Sequence, residues 1–230
     1  MFYKNRNEDN RQAWLKKTLA SLRQGARILD AGAGELRNKP LCKHLDYVSQ
    51  DFAQYHGDGD GKGLQTGKWD TSQIDIVSDI VAIPEPDGSF DAILCSEVFE
   101  HIPDPTKAVG EFARLLKPGG TLILTAPFAS LVHFAPYHYC SGFSRYWYEY
   151  HLARHGFQIE ELTANGDWFA YCEQELMRLG SMARQSGDWG WPLAYVLGIL
   201  GLLYFKGRNG KQVDDLACFG WHCLAVKRTA

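Results

Sequence analysis

The chain has 230 residues, of which 45% are hydrophobic, 22% charged and 13% aromatic. This composition is too apolar for a disordered chain, and the length is sufficient for one sizeable core. The net charge of −3 at neutral pH provides no basic field for a phosphate backbone, so we expect no nucleic-acid partner.

The cysteines and the N-terminal residues indicate the cellular compartment. None of the six cysteines forms a CxxC pair or another spacing typical of metal ligands. We therefore expect reduced thiols and no metal site. Residues 1–17 are polar and charged and lack the apolar run of a signal peptide, which predicts a cytoplasmic location.

Helical and extended patterns alternate along the first two thirds of the chain. A helical pattern covers residues 8–23. Short apolar runs suited to strands follow at residues 26–29, 47–50, 74–78, 90–95 and 121–125. Helical stretches separate most of them, whereas residues 55–73 are rich in Gly and Asp and predict a long loop. This alternation is typical of βαβ units and predicts an α/β fold with a doubly wound parallel sheet.

Glycines and acidic residues stand where the first three strands end. The first strand runs into Asp30-Ala31-Gly32-Ala33-Gly34, a turn whose glycines let a ligand approach the backbone closely. Asp51 ends the second strand about 20 residues later, where a carboxylate can accept the hydroxyls of a ribose. Asp79 ends the third strand. Because the carboxyl ends of parallel strands meet at one sheet edge, these residues predict a nucleotide-containing ligand there.

A nicotinamide cofactor would also use an acid at its ribose. The dinucleotide fingerprint, however, requires a small third residue where this chain has Arg37. No tyrosine is followed four residues later by lysine, so the usual short-chain reductase dyad is missing as well. These features argue against a nicotinamide enzyme.

Two further motifs complete a family pattern. They are Phe90-Asp91-Ala92-Ile93-Leu94-Cys95-Ser96-Glu97-Val98-Phe99-Glu100-His101-Ile102 and Leu116-Lys117-Pro118-Gly119-Gly120. With the strand-end acids and glycines, they resemble the class I S-adenosylmethionine-dependent methyltransferases of the small-molecule type, over residues 25–127. The resemblance implies a Rossmann-like sheet of seven strands with the last strand antiparallel, and S-adenosylmethionine as cofactor.

The resemblance also implies which residues bind the cofactor. They are Asp30, Ala31, Gly32 and Gly34 at the methionine moiety, Asp51 at the ribose, Asp79 and Ile80 at the adenine, Phe52 over an adenine face, and Cys95, Ser96 and Glu97 along the floor. Phe52 fits a core position equally well. His101 precedes Pro103 at the start of a helix, and we expect it to have a structural role.

The chain after the fifth strand is rich in aromatic residues. Residues 128–150 should emerge beside the transferable methyl group and form an aromatic cover, although the same residues could form a small satellite core. Within it, His133 and His138 are candidate general bases, because the pKa of imidazole lies near neutrality. Either histidine could instead be structural. The motifs of base-methylating enzymes, Asn/Asp-Pro-Pro-aromatic and Pro-Cys, are absent.

The sixth and last strands are separated by an unusually long segment. Residues 157–162 and 219–227 have strand patterns, and residues 163–218 between them predict a helical insert. Its charge-free stretch, residues 190–205, would span about 24 Å as a helix, which is short of the roughly 30 Å of a hydrocarbon core. We expect the chain itself, a second copy in a homodimer or a membrane surface to cover this stretch.

We predict one domain over residues 1–230. Its segments are a helical N-terminus (1–24), a cofactor-binding core (25–162) with the aromatic cover (128–150), the insert (163–218) and the last strand (219–230). The predicted function is methyl transfer from S-adenosylmethionine to a small-molecule or glycan-like acceptor, preferentially at oxygen. The aromatic block resembles bacterial methyltransferases of surface-polysaccharide pathways. The alternative is a non-catalytic scaffold that binds S-adenosylmethionine and supports a partner enzyme.

Overall fold

The computed structural model describes residues 6–205, 213–214 and 216–229. The chain divides into two compact units. The sheet unit comprises residues 12–163 and 220–230, and the insert unit comprises residues 1–11 and 164–219. The parts of our segment predictions that fall on residues 1–5, 206–212, 215 and 230 lie outside the described residues.

Seven strands form one sheet in the order β3-β2-β1-β4-β5-β7-β6. They are β1 (Arg27–Ala31), β2 (Asp46–Asp51), β3 (Ile76–Val77), β4 (Phe90–Ser96), β5 (Leu116–Pro127), β6 (Phe157–Asn165) and β7 (Gly220–Lys227). Strands β1 to β5 pair in parallel, and β7 pairs with β5 in the antiparallel direction. This topology confirms the predicted doubly wound sheet with an antiparallel last strand. The strand order reverses between β1 and β4, which is where open α/β sheets bind ligands.

Among the described residues, five α-helices accompany the sheet. They are α1 (Arg6–Ala20), α2 (Pro105–Leu115), α3 (Arg145–Arg154), α4 (Trp168–Gln185) and α5 (Trp191–Phe205). The Asp104 carboxylate caps α2 by accepting a hydrogen bond from the backbone N–H of Lys107, and Pro105 fits the first helical position because it needs no donor there. A short 3₁₀ turn, Phe99–His101, connects β4 toward α2.

The core of the sheet unit lies where α1 packs on the central strands. Leu15 and Leu19 of α1 are fully buried against Ile28 of β1 and Leu94 of β4. Burial of each such side chain contributes about 1.5 to 3 kcal/mol relative to exposure. The core therefore fixes the central strands, whose carboxyl ends carry the candidate site.

Two strands differ in length from the sequence prediction. Strand β3 has only two residues, because the Asp75 carboxylate accepts hydrogen bonds from the backbone N–H and the hydroxyl of Ser49 (2.9 and 2.6 Å) in place of strand pairing. Strand β5 begins at Leu116, which pairs with Phe90, and an irregularity separates this pair from the next one. The Pro118-Gly119-Gly120 motif is thus part of a bulged strand.

The insert unit contains the predicted helices, α4 and α5. Glycines allow these helices to approach closely: a Cβ at Gly198 would lie 2.7 Å from the Leu176 carbonyl oxygen, and one at Gly180 would lie 2.4 Å from the Tyr195 ring. Most apolar side chains of α5 are nevertheless exposed, and Gly198 is its only buried residue. Among the described residues, no helix combines the length and hydropathy needed to cross a membrane.

Candidate active site

The turn after β1 requires glycine at two positions. Gly32 and Gly34 have φ angles of +78° and +52°, in the left-handed region that favours glycine. A Cβ at Gly32 would lie 2.5 Å from the Val98 side chain, and one at Gly34 would lie 2.6 Å from the Trp69 ring. The turn therefore requires glycine both for its backbone conformation and because the side chains of Val98 and Trp69 pack directly against it.

Asp51 organises the same turn from the end of β2. Its two carboxylate oxygens accept hydrogen bonds from the backbone N–H groups of Gly34 (2.9 Å) and Ala53 (2.8 Å). Each oxygen has two lone pairs, so both retain acceptor capacity for the hydroxyls of a ribose. The next residue, Phe52, is half-buried and contacts the Tyr137 ring edge-to-face at 4.9 Å between centroids, so it lies against the aromatic cover rather than in the core.

Asp30 is a buried acid at the centre of the strand edge. Burial raises its pKa to about 6, although hydrogen bonds from Tyr47 and Asn38 oppose the shift. The Tyr47 hydroxyl donates to Asp30 Oδ2 at 2.7 Å. Ionising a buried carboxyl group costs free energy, and a cationic ligand group such as an ammonium would offset that cost.

Asp79 and Ile80 lie beside Asp51, just beyond β3. The backbone N–H of Ser78 donates to the Asp51 carbonyl oxygen at 3.1 Å, which joins the ends of the two strands. Asp79 is exposed, and its Oδ1 accepts a hydrogen bond from the Val81 backbone N–H at 3.2 Å, whereas Ile80 is buried. An acidic side chain and an apolar surface are thus available side by side.

The ends of β4 and β5 form a polar floor. The hydroxyls of Ser96 and Thr125 lie 2.9 Å apart, and the Thr125 hydroxyl donates to Glu97 Oε1 at 2.9 Å. Glu97 has a φ angle of +56°, a strained conformation for a residue other than glycine. Cys95 is fully buried, and burial raises the pKa of its thiol well above the usual value, so the thiol stays protonated.

Three histidine rings meet beside this floor and form what we term the histidine cluster: His101, His133 and His138. One ring nitrogen of each lies within 4.8 Å of those of the other two. The buried carboxylate of Glu100 lies alongside, with its Oε1 3.7 Å from His101 Nε2 and 3.8 Å from His133 Nε2. The structure therefore brings the two candidate bases together with a histidine for which we expected only a structural role.

Burial keeps part of the cluster neutral. Burial lowers the pKa of His101 to about 3, with a further contribution from the neighbouring His133. The pKa of His138 is lowered by the same two causes in the same order. Neutral imidazoles have a free lone pair, which can accept a proton or bind a metal ion.

The aromatic cover is fixed above the sheet edge by backbone and ring contacts. The backbone N–H groups of Tyr139 and Cys140 donate to the Glu100 carbonyl oxygen at 2.8 and 3.2 Å. The Phe134 ring stacks on those of His101 and Tyr55, with centroids 5.1 and 4.6 Å apart. The cover therefore contacts both the turn after β4 and the loop of residues 55–73.

The loop of residues 55–73 contributes to the site through its aromatic residues. The Tyr55 side chain is buried, and its hydroxyl lies 2.8 Å from both the Gly57 carbonyl oxygen and Gln65 Oε1. The Trp69 ring, which lies over Gly34, contacts Phe134 at 5.0 Å between centroids. We predicted a plain loop here and did not assign Trp69 to the site. The sequence offered one signal for it, an aromatic residue within a stretch rich in Gly and Asp.

The site fits the cofactor implied by the sequence. Acids stand at the ends of three adjacent strands, and the turn between two of them has no room for a Cβ. This arrangement, on a sheet with one antiparallel last strand, defines the class I S-adenosylmethionine-dependent methyltransferases. Residues 2–171 match the family described as "Methyltransferase domain", and this match covers most of the chain. The protein belongs to that family, whose cofactor is S-adenosylmethionine.

Relatives support the same class. The ubiquinone biosynthesis O-methyltransferase of Xanthomonas oryzae pv. oryzae is 36% identical over 110 residues, which are 44% of this chain and 43% of that protein. The chain thus matches less than half the length of this curated relative.

Two solved structures share the fold over almost the whole chain. The phosphoethanolamine N-methyltransferase 2 of Haemonchus contortus, solved with S-adenosylmethionine, has a TM-score of 0.53 and 18% identity over 96% of this chain and 53% of its own. The [4+2]-cyclase SpnF has a TM-score of 0.57 and 18% identity over 94% of this chain and 81% of its own. Because one of these proteins is a cyclase, the shared fold does not by itself define the reaction.

Proposed function

We propose that the protein transfers a methyl group from S-adenosylmethionine to a hydroxyl oxygen of a small-molecule acceptor. The observation that carries this proposal is the juxtaposition of the acid-and-glycine strand edge with the histidine cluster under the aromatic cover. The name of the 36%-identical relative, an O-methyltransferase, supports oxygen as the acceptor atom.

The proposed cofactor contacts follow the order of the strand ends. Asp30 would pair with the ammonium of the methionine moiety, with Ala31, Gly32 and Gly34 providing the backbone surface. The remaining proposed contacts are Asp51 at the ribose, Asp79 and Ile80 at the adenine, Phe52 over an adenine face, and Cys95, Ser96 and Glu97 along the floor. When bound, S-adenosylmethionine supplies a methyl group activated by a positively charged sulfur.

The residues of the cover would position and activate the acceptor. In-line alignment of the reacting atoms alone can contribute several kcal/mol, about 7 to 11 in well-aligned reactions. We propose that one of two histidines, His133 or His138, accepts the proton of the acceptor hydroxyl as its oxygen forms the bond to the methyl carbon. The electron pair of the broken carbon–sulfur bond remains on sulfur. General base catalysis of this kind typically contributes about 10² to 10⁴ in rate.

The cover favours a ring-shaped acceptor. Tyr137 and Tyr139 each provide an aromatic ring with a polar hydroxyl end, and their backbones contact His101 and Glu100. Phenolic rings and sugar rings both suit such a surface, and a glycan-like acceptor of a polysaccharide pathway is the narrower version of the proposal. A screen of phenols, catechols and sugars that measures release of S-adenosylhomocysteine distinguishes these acceptors.

Calorimetry with S-adenosylmethionine tests the cofactor site. We expect stoichiometric binding by the wild type and at least about tenfold weaker binding by Asp51→Asn, because charge-assisted hydrogen bonds contribute about 1.5 to 3 kcal/mol. Asp46→Asn is the matched control, since Asp46 is exposed at the opposite end of the same strand. A wild type that does not bind would contradict the proposal. Binding without product release from any acceptor would favour the non-catalytic scaffold.

A second proposal concerns where the protein resides. We propose that α5 contacts a membrane surface or a second copy of the chain, with the protein at the cytoplasmic side. Its support is the exposure of the apolar side chains along this helix, including Leu193 and Leu203.

A further inference from the structure

The tautomers of two histidines direct lone pairs toward the centre of the cluster. His101 Nδ1 lies 2.6 Å from the Tyr137 carbonyl oxygen, and His133 Nδ1 lies 2.8 Å from the Leu131 carbonyl oxygen. A carbonyl oxygen can only accept a hydrogen bond, so Nδ1 of each ring carries the proton. The lone pair is then on Nε2, which in both rings is the nitrogen that lies near Glu100.

Several buried nitrogens of the cluster lack protein partners. Within the described part of the chain, Nε2 of His101 and both ring nitrogens of His138 are buried without a hydrogen-bond partner. Leaving such a nitrogen unsatisfied costs about 1 to 3 kcal/mol, and native structures do so rarely and for a reason. Packing alone accounts for the ring stacking but not for the unsatisfied nitrogens of these two rings.

We propose that the histidine cluster binds a divalent transition-metal ion of the Zn²⁺ type through one ring nitrogen each of His101, His133 and His138, with the Glu100 carboxylate beside the ion and the fourth coordination position open. This inference rests on the proposed function only for the use of the metal, since the site itself is defined by the four side chains. From the sequence we expected no metal site, because the cysteines lack the spacing of metal ligands. The three histidines come together only in the folded chain.

The chemistry of the ligand set selects this class of metal. Imidazole nitrogen suits zinc, copper, iron and nickel, whereas magnesium and calcium prefer sites made of oxygen ligands. Three histidines and an exchangeable fourth position are typical of catalytic zinc. The Nδ1–H groups that donate to backbone carbonyls are the outer contacts that commonly orient metal-binding histidines.

The dimensions of the cluster are close to those of a metal site. Ligands at 2.0–2.1 Å from a tetrahedral ion lie roughly 3.3 Å apart. The histidine nitrogens lie within 4.8 Å of one another, and the Glu100 oxygen lies 3.7 and 3.8 Å from two of them. Small side-chain rotations would therefore complete the coordination. A carboxylate beside the three rings suits a bound cation, whose charge would favour the ionised form of Glu100.

A metal ion at this position would change how the acceptor is activated. A histidine nitrogen that binds a metal cannot also accept a proton, so His133 and His138 would act through the ion. Such an ion lowers the pKa of a coordinated hydroxyl and orients it, and the released proton passes to bulk water. The aromatic cover would then hold the acceptor ring while the ion holds its oxygen.

Metal binding can be measured without any assay of activity. The purified chain, stripped with a chelator, is titrated with Co²⁺ and followed by the visible absorption of the ion, and with Zn²⁺ by calorimetry. We expect one ion per chain, tetrahedral Co²⁺ bands and at least about tenfold weaker binding by His101→Ala, His133→Ala and His138→Ala. Glu100→Gln keeps the shape of its side chain and should also weaken binding.

Matched controls separate loss of the site from loss of the fold. His56→Ala removes an exposed histidine of the loop and should bind Co²⁺ as the wild type does. Circular dichroism and binding of S-adenosylmethionine report folding of each variant. A wild type that fails to bind Co²⁺ or Zn²⁺ while it binds S-adenosylmethionine overturns the metal site but leaves the proposed function standing. Equal metal affinity of wild type and the triple histidine variant also overturns it.

Discussion

At the scale of single residues, the buried carboxylate of Asp30 lowers the stability of the fold at neutral pH. Its pKa of about 6 in the folded chain lies above the value of about 3.9 in an unfolded chain. The folded chain therefore binds this proton more tightly, and stability is lost as pH rises from about 4 through 6. By linkage, the loss at neutral pH is on the order of 3 kcal/mol. A bound ammonium group would offset this cost.

We therefore predict that Asp30→Asn stabilises the protein and weakens cofactor binding. The amide keeps an oxygen that can accept the Tyr47 hydrogen bond, but it carries no charge. Its melting temperature should exceed that of the wild type by several degrees at pH 7.5 and match it near pH 4, since each kcal/mol corresponds to about 2 to 4 °C at this size. Thermal melts at both pH values and calorimetry with S-adenosylmethionine provide the measurements. Equal melting temperatures at pH 7.5 would contradict this account.

The candidate site also shows which residues a sequence can indicate. Asp30, Asp51 and Asp79 could be placed because short apolar runs mark where strands end, and parallel strands end at one edge. Tyr47 could not, because its reach to Asp30 depends on the register in which β1 pairs with β2. The histidine cluster was hidden for the same reason: its members come from separate segments that meet only when the cover folds onto Glu100.

At the scale of elements, Gly32 in the turn after β1 has to be glycine for two reasons: its positive φ angle and the lack of space for a Cβ. Gly25, which precedes β1, has only the positive φ angle. Gly25 and Gly32 have similar φ angles of +73° and +78°, but a Cβ at Gly25 would have open space whereas one at Gly32 would meet Val98. We predict that Gly25→Ala lowers the free energy of unfolding by about 1 to 2 kcal/mol, the cost of the left-handed conformation. Gly32→Ala should lower it by about 1 to 3 kcal/mol more, because the added Cβ overpacks the turn.

Urea unfolding of both variants checks this prediction. The second variant should lose cofactor affinity as well, whereas Gly25→Ala should keep it. Combining Gly32→Ala with Val98→Ala relieves the overlap, and a double-mutant cycle should show favourable coupling between the two substitutions. Equal destabilisation by the two glycine substitutions would show that Val98 simply moves aside.

The strands themselves were largely predictable, and the exceptions have local causes. Runs at residues 90–95 and 47–50 matched β4 and β2 closely, and β4 is apolar and buried along most of its length. Strand β3 is shorter than its apolar run because the Asp75 side chain occupies the place of a backbone partner. A side chain that replaces a backbone hydrogen-bond partner does not change the hydrophobic periodicity of the sequence, so the sequence does not reveal it.

At the scale of the whole molecule, α5 leaves a large apolar surface uncovered. Its fifteen residues include no charge, and the exposed fractions of Leu193, Leu200 and Leu203 are 62%, 56% and 63%. Soluble monomers rarely expose contiguous apolar patches of this kind, which usually mark a protein or membrane contact. The sequence predicted the helix and its need for a cover, but it did not identify what covers it.

We predict that the triple variant Leu193→Gln, Leu200→Gln and Leu203→Gln abolishes vesicle binding or self-association of the protein. Flotation with liposomes and sedimentation velocity distinguish a membrane surface from a second copy. Val77→Gln is the control, because Val77 is 64% exposed but lies on β3 in the sheet unit. Since the leucines are already exposed, the free energy of unfolding of the triple variant should stay within about 1 kcal/mol of the wild-type value. A wild type that neither floats nor associates would contradict both forms of the prediction.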